Sequence, residues 1–190
     1  MRPPSYAKAL DRALAPLGFQ RNAMDWIRVR GDLWERVTLY ASWLGGVTVE
    51  LSMKDLETEK LFLAALPEQG SMPFEIVRIG ELIDNYDRWW GKDDDRDDLV
   101  EKVLTYGLPW FDRVRTLEEQ ALCWYRRDRP DAWHVWLIIQ LALTLHRMGE
   151  TEEACAVLRR QPPKLALPVH IEEVGRVRRW MGCETQNSKS

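Results

Sequence analysis

Aromatic rings and guanidinium groups recur between residues 25 and 54, where they alternate with aliphatic side chains. Residues of these types dominate the binding energy of many protein interfaces, and they also stack on planar ligands and pair with anions. The alternative is a structural role, in which a later segment covers the rings and the arginine stems lie over them. The candidate binding residues in this stretch are Trp26, Arg28, Arg36, Tyr40 and Glu50.

A second group of the same residue types surrounds the segment from Gly80 to Lys92. Beside a sheet, such a segment can line a pocket for a small anionic or planar ligand. The candidates in this group are Arg78, Arg88, Trp89 and Trp90.

Short motifs that identify an enzyme are missing from the sequence. No glycine-rich phosphate loop or dinucleotide fingerprint follows a predicted strand, and no nucleophile elbow occurs. His170 and Glu172 match the first half of a zinc deaminase motif, but the required downstream cysteine pair is missing. His134 and His146 lie about 120° apart on one predicted helix, so they cannot share a metal ion. We therefore assign no catalytic residue, metal ligand or cofactor, and the sequence favours a protein that is not an enzyme.

An acidic run from Asp93 to Asp98 suggests a calcium loop at first sight. A loop of the EF-hand type needs glycine at its sixth position and glutamate at its twelfth, where this chain has Asp98 and Leu104. Acidic side chains also gather at helix N-termini, because they meet the positive end of the helix dipole there. The run therefore predicts the start of a helix.

The composition is ordinary for a soluble domain. The 190 residues carry a net charge of −3, so the basic field that non-specific nucleic-acid binding needs is missing. No apolar run is long enough to span a bilayer, and the N-terminus lacks the apolar core of a secretory signal. Cys123, Cys155 and Cys183 are widely spaced, which argues against disulfides and zinc knuckles and favours a reducing compartment. These features predict a cytoplasmic protein without a membrane segment.

The first group of candidates falls on a predicted three-stranded antiparallel meander from Asp25 to Lys54, with turns at Gly31-Asp32 and Gly45-Gly46. Its two faces are predicted to differ in chemistry. The aliphatic face carries Ile27, Val29, Val37, Leu39, Ala41, Val47, Val49, Leu51 and Met53. The other face carries Trp26, Arg28, Arg30, Trp34, Arg36, Thr38, Tyr40, Ser42, Thr48, Glu50, Ser52 and Lys54.

Helical patterns flank this meander. A helix capped by Ser5 precedes it, and a helix over 58–66 and a fourth strand over 74–79 follow it. Residues 80–92 have loop character, and the rest of the chain is helical. The predicted fold is therefore α+β: a small antiparallel sheet packed with helices, followed by an all-helical C-terminal region. The predicted division is an α+β domain over 1–127, a helical extension packed on it over 128–182 and a disordered tail over 183–190.

The C-terminal region contains a predicted helical hairpin. An almost wholly apolar helix from Asp131 to Met148 turns at Gly149 into a partner helix capped by Thr151. The spacing of small and large residues around this turn resembles a hairpin of the tetratricopeptide type.

Several motifs occur in a characteristic order. They are Leu17-Gly18-Phe19, Trp26 with Arg28, Arg78-Ile79-Gly80 with Leu82, Trp89-Trp90, and Gly107-Leu108-Pro109-Trp110-Phe111. Together they resemble the bacterial domain of unknown function family 4304, over residues 5–127. The resemblance implies an α+β domain with a small antiparallel sheet and no established activity. Members of that family often carry amides where this chain has Tyr40 and Glu50, so no shared polar site is implied there.

Three functional hypotheses follow. The leading one is a non-enzymatic protein-binding domain, an adaptor or neutralising component, because no catalytic motif accompanies the Arg/Trp face and the helical hairpin. The alternative is an enzyme or small-ligand-binding protein with a pocket near the Trp89-Trp90 loop. The third is single-stranded nucleic-acid binding by stacking on Trp26, Arg28, Arg36 and Tyr40, which the net charge disfavours.

Overall fold

The structure, a computed structural model, describes residues 4–43, 45–72, 75–91, 94–127, 135–160 and 167–183. The described strands form one antiparallel sheet in the order β1-β2-β3-β4-β5. They are β1 Gln20–Asn22, β2 Asp25–Arg30, β3 Leu33–Ala41, β4 Val47–Asp55 and β5 Glu75–Arg78. The predicted meander and fourth strand are present as β2 to β5, and the short β1 precedes them.

Helices make up most of the remaining described residues. They are α1 Pro4–Leu14, α2 Leu56–Ala65, α3 Ile79–Asp84, α4 Arg96–Lys102, α5 Leu108–Arg113, α6 Leu117–Arg127, α7 Val135–Arg147, α8 Thr151–Arg159 and α9 Pro168–Trp180. Turns of 3₁₀ helix lie at Ala15–Leu17 and Pro67–Gln69, and a π-helix over Val103–Gly107 joins α4 to α5. Sheet and helices together confirm the predicted α+β class. Residues 184–190 of the predicted 183–190 tail and residues 131–134 of the predicted 131–148 helix lie outside the described residues. Cys183, where that tail was predicted to begin, is described and buried.

One helix corrects a prediction. The segment from residue 80 to 92 was expected to be a loop, but it begins with α3. This helix has only six residues, so its sequence shows less than two turns of helical periodicity. Asn85 ends it in the left-handed conformation, with φ 61°.

The chain divides into two compact units. The first combines residues 1–55 with 74–113, and the second combines 56–73 with 114–190. Helix α2 therefore groups with the C-terminal helices, although it lies between two neighbouring strands of the sheet in sequence. The predicted division after residue 127 stays a prediction.

The strand register corrects the predicted face of β2. Trp26 is paired with Val37, and Val37 with Leu51, so these three side chains share a face and all are buried. Ile27 and Val29 lie on the opposite, more exposed face. The predicted faces of β3 and β4 are confirmed, whereas the two predicted faces of β2 are exchanged. Burying the large Trp26 ring removes more apolar surface from water than burying Val29 would.

Helices of the first unit pack on this covered face. The Trp26 indole donates a hydrogen bond to Asp11 of α1, with Nε1 and Oδ1 3.0 Å apart. In the π-helix, a Cβ on Gly107 would lie 3.0 Å from Leu51 Cδ1 of β4. Phe111 of α5 contacts Phe19, with ring centroids 6.3 Å apart. The covered face therefore forms one side of the first unit's core.

The predicted helix starts are confirmed in part. Ser5 lies within α1, and Glu150 rather than Thr151 is the residue that precedes α8, without a side-chain cap. The acidic run leads into α4, where the Asp95 side chain caps the helix by accepting a hydrogen bond from the Asp97 amide at 2.9 Å. Thr116 accepts one from the Glu119 amide at 3.2 Å at the start of α6.

The second unit is helical around its own apolar core. Phe62 and Leu66 from the α2 region lie in one cluster with Ile139 and Leu143 of α7 and Val177 of α9. Helices α7 and α8 form the predicted hairpin, with Gly149 at φ 85° in its turn. No helix of the described residues is long and apolar enough to cross a membrane.

The predicted absence of disulfides was wrong. Cys155 of α8 and Cys183 beyond α9 form a disulfide in the second unit, although 28 positions separate them in sequence. Spacing along the chain carries no information about such a pair, because packing of the helices brings the two together. The argument for a reducing compartment rested on unpaired cysteines and therefore loses its basis.

Candidate binding surface on the polar face of the sheet

The face of the sheet opposite the covered one is the polar face. Strand register places on it Asp25, Ile27, Val29, Trp34, Arg36, Thr38, Tyr40, Thr48, Glu50, Ser52, Lys54, Ile76 and Arg78. Val29, Tyr40 and Ile76 are exposed there, whereas the small Thr48 and Ser52 are buried. The polar face therefore presents large side chains above a layer of small hydroxyl residues.

Glu50 lies at the centre of the polar face. It is directly opposite Thr38 on β3 and Arg78 on β5. Its carboxylate accepts a hydrogen bond from the Tyr40 hydroxyl and interacts with the charges of Arg36 and Arg78. All four of these charged and aromatic residues are candidates from the sequence, and the structure brings them together.

Partial burial changes the proton affinity of this cluster. Burial raises the pKa of Glu50, while the charges of Arg36 and Arg78 and the Tyr40 hydrogen bond oppose the increase. Burial and the charge of Glu50 both raise the pKa of Tyr40. Tyr40 therefore stays a neutral hydrogen-bond donor at physiological pH, with its ring still exposed.

Cations stack on the ring of Trp34 beside this cluster. The Arg36 guanidinium carbon and the Lys54 ammonium each lie 5.5 Å from the ring centroid. Arg36 also donates to Ser52, with Nη2 and Oγ 3.2 Å apart. Such contacts hold long side chains in one arrangement, which lowers the entropy cost of a later binding event.

Arg78 connects the polar face to Trp89. Its guanidinium forms an ion pair with Asp87 at 2.5 Å and lies 5.7 Å from the centroid of the Trp89 ring. The Trp89 indole donates to the same Asp87 carboxylate, with Nε1 and Oδ2 3.1 Å apart. Trp89 keeps part of its ring exposed. The three side chains form one rigid corner of the surface.

Trp43 is an exposed ring of the first unit that was not among the candidates named from sequence. It is in the hairpin between β3 and β4 and is 92% exposed. The same hairpin contacts Trp89, since a Cβ on Gly46 would be 3.5 Å from the Trp89 Cβ. The available signal was its position just before the Gly45-Gly46 turn, where a side chain leaves the sheet and has no core to enter.

Trp90 and Arg88 behave differently from Trp89. Trp90 is 2% exposed, and its backbone exchanges two hydrogen bonds of 2.8 Å with Val47 at the edge of β4. Its indole donates to Asp98 at 2.7 Å, and Arg88 lies over its ring at 5.1 Å. The Trp90 hydrogen bond lowers the pKa of Asp98, with the charges of Lys102 and Arg88 acting in the same direction against the effect of burial. Trp90 is therefore a core residue of the first unit.

Trp26 and Arg28 lie on the covered face and do not join the surface. Arg28 donates from Nε and Nη2 to Glu35 at 2.8 and 2.6 Å, and its guanidinium lies 4.2 Å from the centroid of the Phe19 ring. Arg30 binds the other oxygen of the same carboxylate at 2.6 Å. Glu35 is fully buried. Arg30 also pairs with Asp112 of α5 at 2.8 Å. This cluster therefore connects the covered face to α5.

The surface and its support define a class of protein: an α+β domain whose antiparallel sheet has one face under helices and one polar face. A family model, Domain of unknown function (DUF4304), matches residues 10–113. The match covers more than half of the 190 residues, so the chain belongs to this family. The family resemblance predicted from sequence is thereby confirmed. The likeness of the C-terminal hairpin to tetratricopeptide repeats lies outside the match and stays a prediction.

Searches of curated proteins and of solved structures returned no match.

Proposed function

We propose that this chain is a non-enzymatic protein-binding module, an adaptor or neutralising component, whose contact surface is the polar face with the β3–β4 hairpin. The observation that carries the proposal is Trp43, which exposes almost its whole ring to water. Exposing so large an apolar ring in the free protein is costly, and covering it on binding recovers that free energy. Tyr40 and Arg78 on the polar face, and Trp89 against the hairpin at Gly46, belong to the residue types that dominate interface energetics.

The charges of the polar face fit a protein partner better than a phosphate backbone. Arg36 and Arg78 lie around Glu50, and Arg78 is already neutralised by Asp87. Strong nucleic-acid binding requires an excess of cations that can release counterions from phosphates. A surface of mixed charge around exposed aromatic rings is instead typical of protein interfaces.

The small-ligand alternative loses support from the packing around Trp90. The expected pocket requires the Trp90 ring to face open space, but this ring is buried and the Arg88 guanidinium lies over it. Backbone atoms of Tyr86 and Arg88 also approach Gly80 too closely for any side chain there. We therefore locate the binding surface on the polar face and not beneath the Trp89-Trp90 loop.

The test is a pull-down from a nuclease-treated lysate of the source cells, using the full chain as bait. The wild type is compared with a Tyr40→Ala, Trp43→Ala double variant, because both rings are exposed and their loss should leave the fold intact. We expect a stoichiometric protein partner whose recovery falls by about tenfold or more in the double variant.

Tyr106→Ala is the matched control. Tyr106 is about as exposed as Tyr40, but it lies on the π-helix, which packs against the covered face through Gly107. Its loss should leave recovery of the partner unchanged. The proposal fails if the wild type retains no protein partner, or if the double variant retains the same partner equally well.

A further inference from the structure

The disulfide of the second unit joins two helices near the end of the described chain. Cys155 lies on α8, Cys183 follows α9, and their Cα atoms are 5.3 Å apart. Both residues are buried. Cys123, the third cysteine, lies outside this bond. The bond therefore closes a loop that contains all of α9.

A local backbone motif turns Cys183 towards α8. The Cys183 amide donates to the Arg178 carbonyl at 2.9 Å, and the Gly182 amide donates to the Arg179 carbonyl at 3.0 Å. Gly182 adopts the left-handed conformation with φ 70°. This is the Schellman type of helix end, which reverses the chain direction after α9. The position of Cys183 is thus specified by the end of the helix.

Helix α9 has few other strong attachments. Of its 13 residues only Glu173 and Val177 are buried, and Val169, Ile171 and Trp180 are exposed. The partly buried Val174 and Met181 also pack against the core of the second unit. With one fully buried apolar residue and these two partly buried ones, α9 gains less packing free energy than a helix with a full apolar stripe.

Polar and ring contacts supply the remaining attachments of α9. Arg176 pairs with Glu68, and Glu173 accepts a hydrogen bond from Gln69 at 2.6 Å. Two ring contacts join it to α7, His170 with Trp136 at 5.7 Å and Trp180 with His146 at 6.3 Å. Pairs of this kind are individually weak where water reaches them. The disulfide is therefore a large part of what keeps α9 docked.

We propose that the Cys155–Cys183 bond is a redox-controlled fastener of α9. A protein dithiol, or a small dithiol used as a probe, reduces it by thiol–disulfide exchange. The S–S bond breaks, two electrons and two protons pass from the dithiol to the two sulfurs, and the dithiol becomes a disulfide. In the oxidised state α9 is docked on α2, α7 and α8; in the reduced state it opens far more often and exposes Cys155.

The first test asks whether the bond exists in the cell. Source cells are lysed in denaturant with an alkylating agent and without reductant, and the full chain is weighed by mass spectrometry. We expect one alkylated cysteine, Cys123, and three after prior reduction. Three alkylated cysteines without reductant would overturn the proposal.

The second test measures hydrogen exchange of the oxidised and the dithiol-reduced full chain. We expect exchange of the α9 amides to accelerate on the order of 100-fold on reduction, while strands β2 to β4 keep their protection. Cys183→Ala should exchange like the reduced protein with or without dithiol. Cys123→Ala, the matched control, should respond to dithiol as the wild type does.

Two outcomes of the exchange experiment contradict the fastener. If α9 exchanges equally in both states, its other contacts suffice and the bond controls nothing. If reduction unprotects α7 and α8 as much as α9, the bond is a general staple of the second unit and not a selective control of one helix.

Discussion

At the scale of single residues, Glu173 is a buried carboxyl group with one oxygen that lacks a hydrogen bond to the described residues. It is 3% exposed, and one of its oxygens accepts from Gln69, while Oε2 has no hydrogen-bond partner among the described residues. The titratable side chains around it are His170, Glu172 and Arg176 of α9 and Glu68 of the 3₁₀ turn at Pro67–Gln69. Burial raises the pKa of Glu173; His170 and Arg176 oppose this, and Glu68 and Glu172 add to it.

The raised pKa predicts how Glu173→Gln changes stability with pH. The folded wild type binds a proton at this site more tightly than the unfolded chain does. That stabilisation is complete below the ordinary glutamate pKa and is lost as pH rises through the raised pKa of the folded state. The glutamine side chain does not titrate, so the variant has no such pH-dependent stabilisation to lose. The free energy of unfolding of Glu173→Gln, relative to that of wild type, should therefore increase as pH rises from the ordinary glutamate pKa to the raised pKa of folded Glu173. The increase should be at most about 1.4 kcal/mol per pH unit.

Urea unfolding of both proteins from pH 4 to pH 8 measures this difference. Glu118→Gln is the control, because Glu118 is exposed on α6 and is not among the charges that act on Glu173, so its substitution should leave the difference profile flat. Parallel profiles for wild type and Glu173→Gln would show that Glu173 titrates alike in the folded and unfolded states.

At the scale of elements, the turn after β5 depends on one glycine. A Cβ at Gly80 would lie 2.2 Å from the Tyr86 carbonyl oxygen and 2.5 Å from the Arg88 amide nitrogen. The segment from 86 to 90 returns here to the edge of β4 and pairs Trp90 with Val47. Any side chain at position 80 must therefore displace that pairing, which explains the glycine in the Arg78-Ile79-Gly80 motif.

Gly80→Ala should destabilise the first unit by about 3 kcal/mol, because rigid backbone atoms and not a flexible side chain must move. Gly175→Ala is the matched control in the interior of α9, where the new methyl meets only Arg179 Nη1 at 3.6 Å. This second change should stabilise its helix by about 1 kcal/mol. Chemical denaturation followed by tryptophan fluorescence reports both. Equal stability of Gly80→Ala and wild type would refute the close approach.

At the scale of the whole molecule, helix α2 follows β4 and precedes β5 in the chain, yet it belongs to the second unit. Strands β4 and β5 pair through Met53 and Glu75, so they could be joined by a short turn. The chain instead inserts α2, whose Phe62 packs on Trp136 of α7 at 5.7 Å between ring centroids. A fragment that ends at residue 113 keeps α2 but lacks the helices that cover it.

We therefore expect the 1–113 fragment to associate and to bind a hydrophobic dye, because Phe62, Leu66 and Met72 lose their partners. The same fragment with 56–73 replaced by a short glycine-serine turn should be monomeric, bind little dye and unfold in one transition. Gel filtration and dye fluorescence compare the two. If both fragments associate and bind the dye equally, exposure of the apolar side chains of α2 is not the cause of association.

Local pattern made much of this fold predictable. The two-residue alternation of β3 and β4 and the Gly45-Gly46 turn specify a hairpin without reference to the rest of the chain. The family motifs also depend on residues close together in the chain, so they were readable in sequence. Within the candidate surface, the faces of β3 and β4 were predicted correctly, since they follow from this alternation.

Other features depended on partners distant in sequence. Strand β2 carries apolar side chains on both faces, so alternation alone does not decide which face is covered. Distant contacts decide it: the buried Glu35 accepts a hydrogen bond from Arg28 and pairs with Arg30, and Trp26 has space beneath α1. Trp89 and Trp90 are adjacent and identical in type, yet only Trp90 meets Val47 and Asp98. Sequence types could not separate these two rings.

The sequence alone therefore determined the class of fold, the family and the polar composition of one sheet face, because periodicity and turn chemistry are local properties. Only the tertiary structure decided which aromatic residues are buried, which cysteines pair and which unit α2 joins. Each of those outcomes depends on contacts between residues far apart along the chain, whose free energies no local pattern encodes.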